Sequence, residues 1–340
     1  MVIHVNRQFL NFNLENEKNL KDILQSLEEW VAENGEVIQR VLVDDIHIPL
    51  ETETKELQRT VSSIEKIEVF TAKKEQHAIE TVATLTEYMS IIMGDYLRAE
   101  GTETYEDTIE GLQLVYEGIV EVVKVFGIND VFVIDKEKRS LRSVLGEMRT
   151  LYEKYEKKYI DKKGKEDFES VLKKLFFLCP KLIKWGVVKN MKKFPMVQTD
   201  KKSEYFKELA SDFYTIIYEK VDIFEKISEN LQLGNDTEAL GEIYHITEIL
   251  DEYIVLFKIA KESFGIKLDG LKTRNTKLED LFADIHSRLE DVSEALKQGD
   301  MISVGDTLEY ETKPLFEELI EFLRELIELL GQIKDFTFFY

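Results

Sequence analysis

Glu242-Ile-Tyr-His245 is the pattern in this chain whose residue types and spacing could do metal chemistry, since a Glu and a His three apart on a helix project from one face. Di-iron helical bundles need such a pair on each of two helices, with a further Glu from each of two others. A second ExxH does not occur, so Glu242 and His245 read as an ordinary i,i+3 surface or interface pair. The five histidines, at positions 4, 47, 77, 245 and 286, show no paired ligand spacing. There is no GxxxxGKS/T or GxGxxG loop to cradle phosphate, and no HExxH, CxxC or GxSxG. Cys179, the one cysteine, lies in an apolar run and reads as a small buried hydrophobe; a nucleophilic thiolate would need a basic partner, and none can be named. No catalytic residue, metal ligand or cofactor is nominated.

The other departure from background is electrostatic. Lys154 to Lys202 holds fifteen lysines against six acids, a net of +9 in a chain whose formal charge is -22. Within it, Lys173, Lys174, Lys181, Lys184, Lys192 and Lys193 interleave with Phe176, Phe177 and Trp185. Lysine stems can cover apolar surface while their ammonium groups stay wet. One reading is internal, with the segment docked on acidic helices. A second is a surface for an acidic protein partner, and a third is peripheral contact with anionic lipid. Nucleic acid is disfavoured, because phosphate would be repelled over most of so acidic a surface. The aromatic C-terminus, with Phe336, Phe338, Phe339 and Tyr340, either folds back on the body or binds a partner.

These residues need elements to position them. At 340 residues the chain has room for two or three domains, and only four prolines and sixteen glycines leave few helix breakers. Residues 1–72 read as a separate unit. Val2, Ile3 and Val5 lead through Asn6-Arg7-Gln8 to the alternating Leu10, Phe12 and Leu14, a hairpin. Asn19 caps a helix carrying Leu20, Ile23, Leu24, Leu27, Trp30 and Val31 up to Gly35. Val37–Val43 and Ile46–Ile48 are strands around Asp44-Asp45, and Ile64–Thr71 is a last strand.

From Glu75 helical periodicity takes over. Thr104 with Asp107 opens one helix, and Ser203 opens a long one that Gly234-Asn235-Asp236 breaks. Val131-Phe-Val-Ile134 is either a buried connector or a strand. Thr276-Lys-Leu-Glu279 is the spacing of a capping box. Pro314 either kinks the last helix or marks its first turn. The expected domains are 1–72, a helical segment 75–160, a basic aromatic-rich joint 161–202, and helical hairpins 203–340 ending in the aromatic tail.

In element order and lengths, residues 1–72 resemble the ubiquitin-like β-grasp fold. The chain continues Thr71-Ala72-Lys73 without a terminal diglycine, so conjugation as a modifier is not implied. The resemblance implies a docking domain, since β-grasp modules often bind partners through the exposed sheet face; a domain that merely packs on the helices is the other reading. The fold class expected is α+β, a small N-terminal β-grasp-like domain followed by a predominantly helical body. The expected function is a non-catalytic cytoplasmic adaptor or scaffold for a protein partner. The cytoplasm follows from the lack of a signal sequence or a membrane-length apolar stretch. The alternatives are an enzyme built on helix-borne carboxylates with His245, and an acidic helical chaperone; self-association through the long apolar helices stays open.

Overall fold

The computed structural model describes the chain except residues 12–13, 15–16, 50–54, 98–104, 156–159, 269–270, 274–275 and 333–340, and the side chains of 95–96, 105–107, 272–273 and 332. It divides into two units, one of Met1–Tyr88 with Glu117–Phe126, the other of Met89–Tyr116 with Gly127–Tyr340. Phe12, Thr104 and the tail aromatics Phe336, Phe338, Phe339 and Tyr340 lie outside the described residues, as does the side chain of Asp107.

In the first unit, β1 (Val2–Val5) turns through Asn6 and Arg7, both at positive φ, into β2 (Gln8–Leu10). A two-residue turn of this hand matches the natural twist of a hairpin. Helix α1 (Leu20–Glu33) starts where Asn19 Oδ1 accepts from the Asp22 N–H at 3.0 Å and Asp22 reaches back to the Asn19 N–H. It stops at Gly35, whose φ of +67° suits a residue without Cβ. Then β3 (Glu36–Val43) and β4 (Ile46–Ile48) enclose Asp44-Asp45, again both at positive φ, and β5 (Lys66–Lys73) completes the sheet. Asp44 ties the turn to β5: Oδ1 accepts from the Lys66 and Glu65 N–H groups at 2.9 and 3.0 Å, and Oδ2 from Arg59 at 2.6 Å. The Lys66 N–H first, then the Arg59 guanidinium, hold its carboxyl below the ordinary value.

The sheet order is β2-β1-β5-β3-β4, with β1 and β5 parallel and the other pairs antiparallel, a β-grasp-like arrangement. One face carries Ile3, Val41, Val43, Ile48, Ile67 and Val69 onto Leu20, Ile23, Leu24 and Leu27 of α1. Period 2 in the strands and 3.6 in the helix bring these sets together.

Helices α2 (Lys74–Ile91) and α3 (Tyr105–Phe126) follow the sheet. The helical body then runs α4 (Leu141–Tyr155), α5 (Lys162–Lys189), α6 (Thr199–Glu219), α7 (Ile223–Leu233) and α8 (Asp236–Phe264). A two-residue ladder, β6 (Lys272–Thr273) with β7 (Thr276–Lys277), leads into α9 (Leu278–Gln298), α10 (Met301–Asp306) and α11 (Lys313–Gln332). Helix α5 packs on α4 and α6, α6 on α11, α7 on α8 and α10, and α9 on α10 and α11. The architecture is α+β, as its patterning predicts.

Several local expectations change. The basic segment contains one 28-residue helix, α5, with Pro180 inside it. Proline removes one N–H and frees the Phe176 carbonyl, and both residues lie on the exposed side, where water can satisfy that oxygen. The capping box at Thr276 does not form: Thr276 pairs with Thr273 in the ladder, α9 begins at Leu278, and Lys277 stands at its cap with no side-chain bond. Helix α6 begins at Thr199, ahead of Ser203, and the chain breaks at Lys220–Asp222 before its break at Gly234. Val131–Ile134 forms no strand; Phe132, Val133 and Ile134 are buried, and a lone bridge joins Ile134 to Ser140. Pro314 sits in the first turn of α11, directly after a π-helical turn over Thr307–Thr312.

Gly164, in the first turn of α5, admits no side chain, because an added Cβ would lie 2.6 Å from the Tyr155 ring and 2.9 Å from Ile160. Gly164→Ala is therefore expected to lower stability by about 1–3 kcal/mol through overpacking, although alanine is the better helix former. Urea unfolding checks this; an unchanged or raised midpoint would show that the Tyr155 ring yields.

Candidate functional site

The sequence directs attention to α5, and its apolar face explains most of the helix. Phe168, Val171, Leu172, Leu175, Leu178, Cys179, Leu182 and Trp185 recur at three- and four-residue steps and are buried. Trp185 is 1% exposed and faces inward, with no hydrogen-bond partner for Nε1 among the described residues. Cys179 is buried and forms no disulfide.

The lysines beside that face reach acidic neighbours. Lys174 pairs with Glu147 of α4, and Lys181 with Glu208, at 2.9 Å, and with Asp212, both of α6. Lys184 also takes Glu208 and lies 5.5 Å from the Tyr205 ring. Burial alone would lower Lys181, but hydrogen bonds to Asp212 and Glu208 outweigh it and raise its pKa. Lys173 makes only an i,i+4 pair with Glu169 at 2.8 Å. Phe176 and Phe177 meet edge to face, Phe177 being 66% exposed. Lys192 and Lys193 are exposed in the short turn Met191–Lys193. The thirteen nominated residues thus part company: three lysines point to carboxylates, Trp185 enters the core, five residues face outward, and the four tail aromatics lie outside the description.

His245 sits in a polar network that the ExxH spacing does not describe. Its Nδ1 is 3.2 Å from Glu248 and its Nε2 is 2.6 Å from the Lys220 ammonium. An ammonium only donates, so Nε2 accepts, and the ring is neutral with its proton on Nδ1 directed at Glu248. Glu248 also takes Arg142 at 3.0 and 3.2 Å and Asn129 at 3.4 Å, while Arg142 reaches Asp130 at 2.8 Å. Burial would raise Glu248, but the Arg142 and His245 hydrogen bonds hold it below its ordinary value. Burial, with the adjacent Lys220 charge, lowers His245. One turn along α8, Glu252 meets Lys189 at 2.9 Å, the two side chains 5% and 10% exposed. Burial raises the Glu252 carboxyl against the pull of Lys189, and its Oε1 has no partner among the described residues.

No group of three or more His, Cys, Asp or Glu among the described residues is placed to hold a metal ion. The contacts around His245 and Glu248, with the Lys189–Glu252 pair one turn on, tie α4, α5 and the α6–α7 turn to α8. Glu248 and Glu252, falling beside the apolar positions Ile249 and Tyr253 of α8, were the available signal for it; Arg142, Lys189 and Lys220 carried none.

The third candidate is the outer face of the sheet. Register places Phe9, His4, Glu68, Leu42 and His47 in one row across five strands, on the side away from α1. Phe9 is 67% exposed and edge-on to His4 at 6.2 Å. The Arg40 guanidinium lies 4.3 Å from the Phe70 ring on the same face.

Comparison with known proteins gives two family matches. Residues 1–73 match the family described as the TP0873 N-terminal domain, and residues 208–322 match a domain of unknown function, DUF8042. A protein of Treponema pallidum (strain Nichols), itself named only as uncharacterized, is 26% identical over 112 residues, 33% of this chain and 54% of the relative. The chain thus spans about half the length of the curated relative it matches. No solved structure matches it. Among the described residues, no helix is long and apolar enough to cross a membrane.

Two outcomes test the buried charges. Lys189→Met is expected to cost about 3–5 kcal/mol near neutral pH, because it leaves Glu252 buried without its cation. The loss should shrink as pH falls and the carboxyl takes up a proton, read as urea midpoints against pH. For His245, the unfolded chain accepts a proton at the ordinary value while the fold resists it. Stability should therefore decline as pH drops below about 6.5, and His245→Gln should flatten that decline. An unaltered slope in the variant would show that the ring takes up its proton in the fold as readily as in the unfolded chain.

Proposed function

We propose that this protein is a non-catalytic cytoplasmic adaptor or scaffold whose ubiquitin-like N-terminal domain docks another protein on the outer face of its sheet. The observation that carries this reading is the row Phe9, His4, Glu68, Leu42, His47, with Phe9 two-thirds exposed at its end. An aromatic side chain held rigidly on a strand is a good anchor, since little side-chain entropy is lost when a partner covers it. The flanking Arg40 and Lys66, with Glu68 in the row itself, supply charges that would set orientation.

The basic helix supports the same assignment by subtraction. Lys174, Lys181, Lys184 and Lys189 each contact a carboxylate of the body, so their charge is largely spent inside the molecule. Of the basic and aromatic residues in its middle and C-terminal part, α5 leaves Lys173, Phe176 and Phe177 outward, with Lys162 and Lys163 exposed in its first turn. The His245 network favours no enzyme, because each of its charged groups is already engaged by another.

The test is affinity capture from the source cell with the native chain beside Phe9→Glu, and beside Phe177→Glu as a control on α5. A protein retained by the native chain and the control but lost by Phe9→Glu is the expected result. Retention by Phe9→Glu and loss by Phe177→Glu would move the docking surface to α5. Equal recovery by all three would remove both.

A further inference from the structure

The helical body has one feature that its packing does not explain. Between α8, Leu268, Lys277 of β7 and the start of α9 lies a half-open cleft of about 570 Å³. Its floor is apolar, formed by Ile254, Phe257, Leu268, Leu278 and Phe282. Phe257 and Leu278 are buried, Ile254 is half exposed, and the Phe257 and Phe282 rings meet edge to face at 6.5 Å. Its rim carries Lys258, Lys261 and Lys277 against a single acid, Glu279.

Two considerations point to an anion. The first is the contrast with α5, where the inward lysines each contact a carboxylate; the three rim lysines have no ion-pair partner among the described residues. The second is the setting. In a chain of net charge -22, a rim with three ammonium groups and one carboxylate is a local reversal of sign, and a low-dielectric apolar wall concentrates its field. The volume falls within the roughly 300–1,000 Å³ of small-molecule sites, which combine an apolar lining with a few polar groups that fix orientation.

We propose that this cleft binds a small amphipathic anion, with an apolar body on the Phe257–Leu278–Phe282 floor and a carboxylate or phosphate head between Lys258, Lys261 and Lys277. Every lining residue lies within 208–322, so the site would belong to the domain matched there and not to the sheet. It stands apart from the docking role and does not depend on it.

The experiment is calorimetric titration of the full chain with sodium dodecanoate below its micellar concentration. Parallel titrations use dodecyltrimethylammonium and inorganic phosphate, with sedimentation against phosphatidylglycerol vesicles. One dodecanoate per chain, with no binding of the cationic amphiphile or of phosphate, is expected. Lys258→Glu with Lys261→Glu changes exposed residues and should weaken dodecanoate at least about tenfold, from two reversed charges near the head. Ile254→Asn should weaken it through the floor, and Lys173→Glu, on α5, should leave it unchanged. Equal binding of both amphiphiles, survival in the double variant, or absence of dodecanoate binding would each overturn the proposal. Retention by vesicles alone would overturn it too, replacing an enclosed ligand with a lipid surface.

Discussion

A helix as basic as α5 can lie within so acidic a chain only because its ammonium groups meet carboxylates from three neighbouring helices. Glu147 comes from α4, Glu208 and Asp212 from α6, and Glu252 from α8. The last contact is the most constrained, since neither Lys189 nor Glu252 retains much water. A buried pair of this kind contributes little over a hydrophobic substitute, yet it penalises any packing that leaves one partner behind. It thereby selects the arrangement in which Glu252 of α8 meets the C-terminal end of α5, while the apolar area buried around it supplies the driving force.

Part of that apolar burial is a run of aromatic contacts through the body. Phe132 meets Phe213 of α6 at 4.9 Å, Phe213 meets Tyr253 of α8 at 5.0 Å, and Tyr253 stacks on Phe257 at 6.0 Å. The Tyr253 hydroxyl has no hydrogen-bond partner among the described residues, and burial pushes its pKa up. The polar network of Arg142, His245 and Glu248 and the pair Lys189–Glu252 therefore lie along the same helix as a close-packed aromatic core. Phe257 closes the series and also floors the cleft beside α9, so the packing of the body and the shape of that cleft share a residue.

Charge in this protein is used in two ways. Along α5 it is matched at short range and fixes helices against one another. Around the cleft beside α9 the lysines have no ion-pair partner among the described residues, which fits a ligand more than a packing role. The N-terminal sheet follows neither pattern: its inner face is filled by α1, and its outer face keeps aromatic and charged side chains in register without that cover.

What the sequence determined by itself was local. Asn19 capping a helix, the turns at Asn6-Arg7 and Asp44-Asp45, and the stops at Gly35 and Gly234 all depend on backbone preferences of a few adjacent residues, and each is where the sequence puts it, save that Gln8 opens the second strand. Alternation in the strands and three-to-four spacing in the helices were equally legible, because burying one face imposes a period. Thr276 shows the limit: its capping-box spacing was overridden by a cross-strand partner at Thr273, which a local pattern cannot anticipate. The fate of the basic segment was likewise hidden. Whether Lys181 meets water, a partner or Asp212 depends on which helix lies 31 residues further on. The choice of His245 for Glu248 and Lys220 over Glu242, and the gathering of Lys258, Lys261 and Lys277 around one floor, were decided by packing. Coulomb and hydrogen-bond energies depend on distances in space, which only the tertiary structure sets.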